Sequence, residues 1–422
     1  MHLFTLLFLA ALVGGLLLQL WLLQRQQRQV AAHRDRVPAP FAERISLEEH
    51  RKAADYTLAR IRLDRLELVY SALLLLALTL GGGVNLLDRL WLASGLGPLA
   101  AGVGLILSLF LALGVLELPF TAWRTFIVEA RFGFNRTTVG RFLLDLLLQT
   151  LLALALGTPL LGAILWLMQE AGSYWWLAGW AVWIGFMLLM TWIYPTLIAP
   201  LFNRFTPLEE GELKQRIQRL LERCGFASKG IFVMDGSRRS GHGNAYFTGF
   251  GRQKRIVFYD TLMESLAPEE MEAVLAHELG HFRHHHILKQ LLLGAVITLA
   301  GMALLGWLAR EPWFYQALGV DRQGDAPALA LFLLVVPVFT QFLQPLLSRL
   351  SRRYEFQADD FARRETGAEP LIRALVKLYR DNASTLTPDP LYSAFHDSHP
   401  PASERVAHLQ AGPDGFLAHR QP

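Results

Sequence analysis

The stretch VLAHELGHFRHHH, Val274 to His286, holds five histidines in thirteen residues. Two of them, His277 and His281, are four apart, and Glu278 follows the first. On a helix, positions i and i+4 share a face about one turn apart, so both imidazoles can address one ion. Met271, Leu275, Leu279 and Phe282 form an adjoining apolar stripe that can seat such a helix in a core. Glu278 lies one step round. It is not placed as an equal ligand, but it can take a proton from a water that a metal polarises. This is the H-E-x-x-H pattern of zinc peptidases. Zinc brings the pKa of water toward ~7, and the carboxylate then carries the proton to the leaving amine. The competing reading is a helix end whose histidines meet lipid headgroups. That reading suits His284, His285 and His286, which run straight into an apolar segment. They are read as interfacial and not as ligands.

A catalytic zinc site normally has three protein ligands and one open position. Glu355, in RRYEFQADD, is the best candidate for the third. It follows one apolar run closely, and the histidine helix precedes another, so an antiparallel pair of runs brings the two together. Asp359 is four residues on and on the same face, placed to hold a histidine N–H. Glu365, His396 and His399 are rivals for the third position. A solvated charged helix is the plain alternative, because Arg352, Arg353 and Asp360 are adjacent. The chain has one cysteine, Cys224, which excludes an intrachain disulfide and a thiolate cluster.

The elements that must position these residues are membrane helices. The 422 residues are 53% hydrophobic and only 18% charged, too apolar for an ordinary soluble enzyme of this length. Seven runs are long enough to cross ~30 Å of hydrocarbon: about 3–23, 68–92, 98–118, 143–167, 174–196, 287–308 and 327–347. Trp and Tyr lie near several of their ends, as interfacial belts require. The first run has no preceding positive charge and no small-residue cleavage site before Gln24. It is expected to be a retained signal anchor with the N-terminus outside. Ten Arg or Lys fall between residues 24 and 67, and four Arg between 119 and 142, whereas Gln169–Tyr174 has none. The positive loops therefore mark the cytoplasmic side, and seven spans bring the C-terminus there too. The net charge of +4 belongs to these loops and is no sign of nucleic acid. Asp145 and Glu117 stand among apolar residues, where an acid must face water or a partner.

The polar segments carry their own signals. Ser46 and Glu49 have the spacing of a capping box, so a long helix should follow. Pro195, Pro200 and Pro207 should break the fifth run, with a helix over about 208–223 opening the soluble part. Ile231–Met234, Ala245–Thr248 and Arg255–Tyr259 read as short strands with Gly-rich turns. Pro268, Glu269 and Glu270 then open the histidine helix, with proline at its first position and acids at its positive end.

Taken together, these segments resemble the type I CAAX prenyl proteases, seven-span zinc metallopeptidases of membranes. KAADYTLARIRLDRLELV is similar to the N-terminal segment of that family. EARFGFNRTT, PLFNRFTPL, GNAYFTGFGRQKRIVFYDTL, AHELGHFRHHH, RRYEFQADDFA and YSAFHDSHPP match its signatures in the expected order. The heat-shock membrane proteases share the zinc motifs but have fewer spans and fit less well. The resemblance implies one Zn2+ per chain held by His277, His281 and Glu355, with Glu278 as general base. It implies Asn244 and Ala245 as an edge strand for substrate, and His399 and Arg405 as stabilisers of the oxyanion. It implies spans that enclose a water-filled chamber with the site at its cytoplasmic end.

The expected fold is an all-α membrane protein of seven transmembrane helices enclosing a chamber, joined to an α+β zincin-like cytoplasmic protease domain. Its parts are residues 1–196 with five spans, 197–286 with the edge strand and H-E-x-x-H helix, 287–347 with two spans, and 348–422 completing the protease domain. The expected partners are a peptide or protein substrate, lipidated or not, and membrane lipids. Nucleic acid is not expected, and the chain is read as a monomer. Two other functions stay open: quality-control proteolysis without prenyl specificity, and a non-catalytic zinc-bearing scaffold. An intact Glu278 argues against the scaffold, since a structural site needs no base. The abundance of Leu, Ala and Arg hints at a bacterial source and an inner-membrane location.

Overall fold

The structure is a computed structural model that describes residues 2–248 and 253–418; of residues 247, 248, 253, 254 and 412–418 it describes the backbone alone. The first half is helical: α1 (Leu3–Ala32), α2 (Leu47–Leu78), α3 (Gly83–Ala93), α4 (Pro98–Trp123), α5 (Val139–Glu170), α6 (Trp175–Ile193) and the short α7 (Ala199–Phe202). A mixed segment follows with β1 (Phe205–Pro207), α8 (Glu212–Cys224), β2 (Ala227–Met234), β3 (Ala245–Thr248), β4 (Gln253–Tyr259), α9 (Asp260–Ser265) and α10 (Pro268–Arg283). The chain returns through α11 (His286–Leu308), α12 (Pro312–Gln316) and α13 (Asp325–Thr340), then runs on into α14 (Gln344–Thr366). Helices α15 (Ala368–Asp381), α16 (Pro390–His396) and α17 (Ala402–Ala418) end it.

Among the described residues six helices are long and apolar enough to cross a membrane, and α2 with α3 makes a seventh span only as a pair bent by 49°. The sequence reading took residues 68–92 as one straight run. The bend falls at Gly81–Gly83, where Gly82 has φ +80°, a left-handed conformation that interrupts the helix. Pro195 was expected to break the fifth run. Instead the helix passes through a π-turn over Tyr194–Ile198 and continues to Phe202. Ser46 caps α2 as expected: its backbone N–H donates to Glu49 Oε2 at 2.8 Å, and its hydroxyl accepts from the Glu49 N–H at 3.2 Å.

Burial along the spans is concentrated at one end. At one end Phe8, Leu105, Leu165, Leu305, Phe314 and Leu331 form a packed apolar cluster. Below it, no residue is buried over 110–123 of α4, 139–163 of α5, 180–197 of α6 and its extension, or 287–304 of α11. In α6 only 6% of the apolar window is buried. A helix in a solid bundle buries one face along its length. Between their ends these helices meet neighbours through half-buried side chains, as where Trp180 Nε1 donates to Ala295 O at 3.0 Å, and not through a fully buried seam.

The other end is closed by a second core. It joins α8, β2, β4, α9, α10, α14, α15 and α17, and it includes Phe41 and Ile45 from the loop after α1. Its sheet has the order β1-β2-β4-β3. β2 and β4 are parallel, β1 and β3 flank them antiparallel, and β3 is an edge. Burying Met271, Leu275 and Leu279 of α10 in this core stabilises it by roughly 1.5–3 kcal/mol for each side chain. Glu270 ties the same helix to α15: its carboxylate accepts from Lys377 Nζ at 2.7 Å and from the Ala267 N–H at 2.8 Å.

Candidate active site

Helix α10 lies along α14, and their closest approach is at Gly280. A Cβ added to Gly280 would sit 2.9 Å from Ala358 Cα and 3.1 Å from Ala358 O. Glycine is therefore required by the approach of a second backbone. Gly280 stands between His277 and His281, and Ala358 stands between Glu355 and Asp359. The contact thus brings both pairs of polar side chains together.

His277 Nε2 lies 3.2 Å from His281 Nε2 and 3.3 Å from Glu355 Oε2. His281 Nε2 lies 3.4 Å from Glu355 Oε1. One atom from each of the three residues falls within 4.8 Å of the others. The remaining ring nitrogens are engaged elsewhere. His277 Nδ1 is 2.8 Å from Asp359 Oδ1, which accepts its N–H and leaves Nε2 as a lone pair. Two imidazole lone pairs and a carboxylate then face one point. Glu355 Oε2 is buried and has no hydrogen-bond partner among the described residues. Such a set of acceptors repels itself unless a proton or a cation lies between. Burial and Arg405 push the His277 imidazole down, but the carboxylates of Asp359 and Glu355 outweigh them and raise it to about 9. The donor set, two nitrogens and one carboxylate oxygen, suits a metal of the zinc type.

His281 is oriented by a residue that the sequence reading set aside. His286, expected at the lipid interface, is 1% exposed. Its Nδ1 is 3.1 Å from His281 Nδ1, its Nε2 is 2.8 Å from Gln357 Oε1, and its ring stacks on Tyr354 at 4.1 Å. The cause is local. His285 adopts φ +56° and breaks the helix between α10 and α11, turning His286 inward. His285 itself is exposed. Glu365, a rival for the third ligand, is drawn away by Arg223 Nε at 3.3 Å.

A cavity of about 310 Å³ adjoins these ligands and is lined by Asn244, Ala245, His277, Glu278, His399 and Arg405 among others. Glu278 faces it from α10, and burial pushes its carboxyl up against the pull of His277 and His281. Asn244 and Ala245 bring the start of the edge strand to the same space. Asn244 O accepts from the Tyr259 N–H at 3.0 Å, which fixes the strand to β4. The Ala245 N–H donates to the side chain of Asn244 at 2.8 Å. The loop before the strand is clamped by Asn382, whose Oδ1 accepts from the Gly243 N–H at 3.1 Å.

His399 and Arg405 arrive from the tail. Arg352 Nη1 donates to Ser393 O at 2.8 Å, and Ser348 Oγ donates to Phe395 O at 3.1 Å, so α16 is strapped to α14. Arg25 of α1 pairs with Asp389 at 2.9 Å and braces the other end of α16. His399 Nε2 then lies 3.4 Å from Glu355 Oε1, with 60% of its side chain exposed in the cavity. Arg405 is only 7% exposed and gives Nε to Asp359 Oδ2 at 2.9 Å and Nη2 to Oδ1. Its Nη1 is 3.8 Å from Glu355 Oε2. The expectation of a free donor therefore fits His399 better than Arg405, whose fork is committed to Asp359. His396 sits beside Tyr392, ring centroids 4.5 Å apart, and is not among the converging ligands.

The structure thus brings together His277, His281, Glu355, Glu278, Asp359, His399, Arg405, Asn244 and Ala245. Asp145, the acid at membrane depth, has its partner: Arg239 Nε and Nη2 donate to its two oxygens at 2.7 Å each. Sequence reasoning missed Gly280, His286 and Asn382. Gly280 was visible as the second x of the motif, but only a neighbouring backbone gives it meaning.

Comparison with known proteins gives the same picture. A family model described as the CAAX prenyl protease N-terminal, five membrane helices, matches residues 26–204. The model for peptidase family M48 matches residues 207–412. A CAAX prenyl protease 1 homolog of Dictyostelium discoideum is 37% identical over 90% of this chain and 91% of its own length. One from Caenorhabditis elegans is 34% identical over 96% of this chain and 98% of its own. The crystal structure of S. mikatae Ste24p matches with a TM-score of 0.88 at 30% identity, over 97% of this chain and 99% of that one.

Proposed function

We propose that this chain, which belongs to peptidase family M48 and within it to the CAAX prenyl protease 1 group, cuts peptide bonds near the carboxy terminus of lipidated, membrane-associated proteins. It is an integral-membrane metalloprotease. The observation that carries the finer reading is the convergence of His277, His281 and Glu355 on one point, with Glu278 and the edge strand in the same cavity.

One Zn2+ per chain is the metal that suits this donor set, and when bound it polarises a water and the scissile carbonyl. The other steps belong to the chain. Substrate backbone adds to the free edge of β3. The Ala245 N–H is satisfied by the Asn244 side chain, a bond that an incoming carbonyl can replace. Glu278 takes the proton of the attacking water and passes it to the leaving amine; its raised pKa suits both the taking and the giving. His399 donates to the oxyanion. Asp359 holds His277 in the ligating tautomer, and Arg405 holds Asp359 and adds positive charge.

Loop charge supports the N-terminus outside and the metal face and C-terminus in the cytoplasm, and composition supports a bacterial inner membrane. The chain acts as a monomer in lipid, since all the groups named come from one copy. In a Cys224→Ser background, Ser173→Cys should react with an impermeant maleimide on intact cells and Ser237→Cys only after the membrane is opened; the reverse pattern inverts the topology.

The test of function is cleavage of matched prenylated and unprenylated peptides by purified protein, with products read by mass spectrometry. Cleavage three residues from the end of the prenylated peptide, lost with chelator, is expected. Equal cleavage of both peptides at scattered positions would favour quality-control proteolysis.

A further inference from the structure

Beside the site cavity lies a larger one, of about 560 Å³, within the range of small-ligand pockets. The two meet at Tyr379, Asn382, Ser384 and His399, which line both. Hydrolysis as described does not use the larger space.

The direction of the edge strand decides which part of a substrate enters it. β3 runs from Ala245 to Thr248 with β4 on one side, so its other edge is open. A substrate strand added antiparallel places its amino-terminal side near Thr248 and its carboxy-terminal side near Ala245. Before Ala245 the chain leads back through Asn244 and Gly243 to His242, and His242 lines the larger cavity. The carboxy-terminal side of the substrate therefore leaves the scissile position into that cavity.

The charges there say how that end is recognised. Arg60 of α2 lines the cavity and is exposed to it. No carboxylate lies in ion-pair contact with it among the described residues, although Glu129 is near enough to feel its charge. Asp64, one turn on, gives Oδ1 to Arg124 Nη1 at 3.0 Å. Tyr56, whose ring lies 5.6 Å from the Arg60 guanidinium carbon, donates its hydroxyl to Glu129 Oε1 at 2.5 Å. Asp397, the other acid of the lining, stands with its carboxyl pushed up by burial. His242, His396 and His399 add no negative charge. Arg60 is thus a cation with no carboxylate in direct contact among the described residues, in the space where a peptide would end. We propose that the larger cavity is the subsite for the residues beyond the scissile bond and that Arg60 binds the terminal carboxylate. This rests on carboxy-terminal cleavage as proposed above and explains how the enzyme would measure distance from a chain end.

The test uses one lipidated peptide in two forms, with a free carboxylate and with a terminal carboxamide. A hydrogen bond to a charged group makes the expected preference of the wild-type protein for the acid roughly tenfold to a hundredfold in kcat/KM, carried mainly by KM. In Arg60→Gln the acid should fall to the rate of the amide, so the ratio approaches one. Arg60→Lys, which keeps the charge but not the planar fork, should restore part of it. The ratio is internal to each preparation, so a misfolded fraction does not alter it. A wild-type protein that cuts both forms equally near their ends overturns the carboxylate subsite and leaves carboxy-terminal cleavage standing. A ratio that survives Arg60→Gln assigns the carboxylate to another group. Failure to cut either form near its end, with longer chains cut internally, overturns both readings.

Discussion

Gly280→Ala is the sharpest test of how the fold builds the site. The new Cβ would lie 2.9 Å from Ala358 Cα, where ordinary contact begins at 3.4 Å, so α10 and α14 must part by at least about 0.5 Å. The atoms it would meet cannot swing aside: two are Ala358 backbone atoms and the third is Phe361 Cβ. Stability falls by roughly 0–2 kcal/mol, because overpacking costs roughly 1–3 kcal/mol while alanine regains about 1 kcal/mol over glycine in a helix. The site suffers more. Glu355 stands 3.3 and 3.4 Å from the two histidines, and a metal tolerates only about 0.2 Å of error in its ligand distances. Metal affinity should fall about a hundredfold or more while the far-ultraviolet spectrum stays native. The assay is metal content after equilibration with a graded chelator, beside a thermal melt. Gly162→Ala, a helical glycine with nothing within 4 Å of its added Cβ, is the control and should keep its metal. Wild-type affinity in Gly280→Ala would refute the argument that this one contact sets the ligand geometry.

Asp359→Ala should lower metal affinity or activity by about 10–100-fold, because the His277 N–H and the Arg405 fork both lose their acceptor; unchanged metal binding would make the Asp359 contact incidental. His399→Ala should lower turnover by about 10²–10³ with metal content retained, and a metal-free variant would show instead that the residue is structural. Metal affinity should depend on pH. In the metal-free protein the carboxylates raise His277 to about 9, so below that value a proton occupies the site and metal must displace it. Apparent affinity should therefore drop about tenfold for each unit from pH 8.5 to 6.5, and a flat profile from chelator competition would show that His277 is neutral without metal.

The part of the fold legible in the sequence was the part with a period. Apolar runs gave the spans, and the i, i+4 histidines gave two ligands. Proline with two acids at residues 268–270 gave the start of α10, and Ser46 with Glu49 gave that of α2. Ala245–Thr248 stood out between glycines as a strand. What stayed hidden depends on neighbours far along the chain. Gly280 acquires meaning only against Ala358. His286 reads as a headgroup histidine until the left-handed His285 turns it under His281. The three glycines at 81–83 lay inside an apolar run, and hydropathy does not register a bend. Glu355 was the best of four candidates by placement, and the resemblance singled it out. Arg405 followed the resemblance as a donor, but its commitment to Asp359 needs coordinates. Arg60 gave no signal at all, being one of ten basic residues between residues 24 and 67.

The central claim is that Glu278 is the base of a metal site it does not ligate. Metal content and peptide hydrolysis measured on the same preparation of Glu278→Gln test it most directly. The account predicts about one metal per chain, as in the wild-type protein, and no detectable turnover. Turnover near the wild-type rate would contradict the mechanism, and loss of the metal would make Glu278 a ligand.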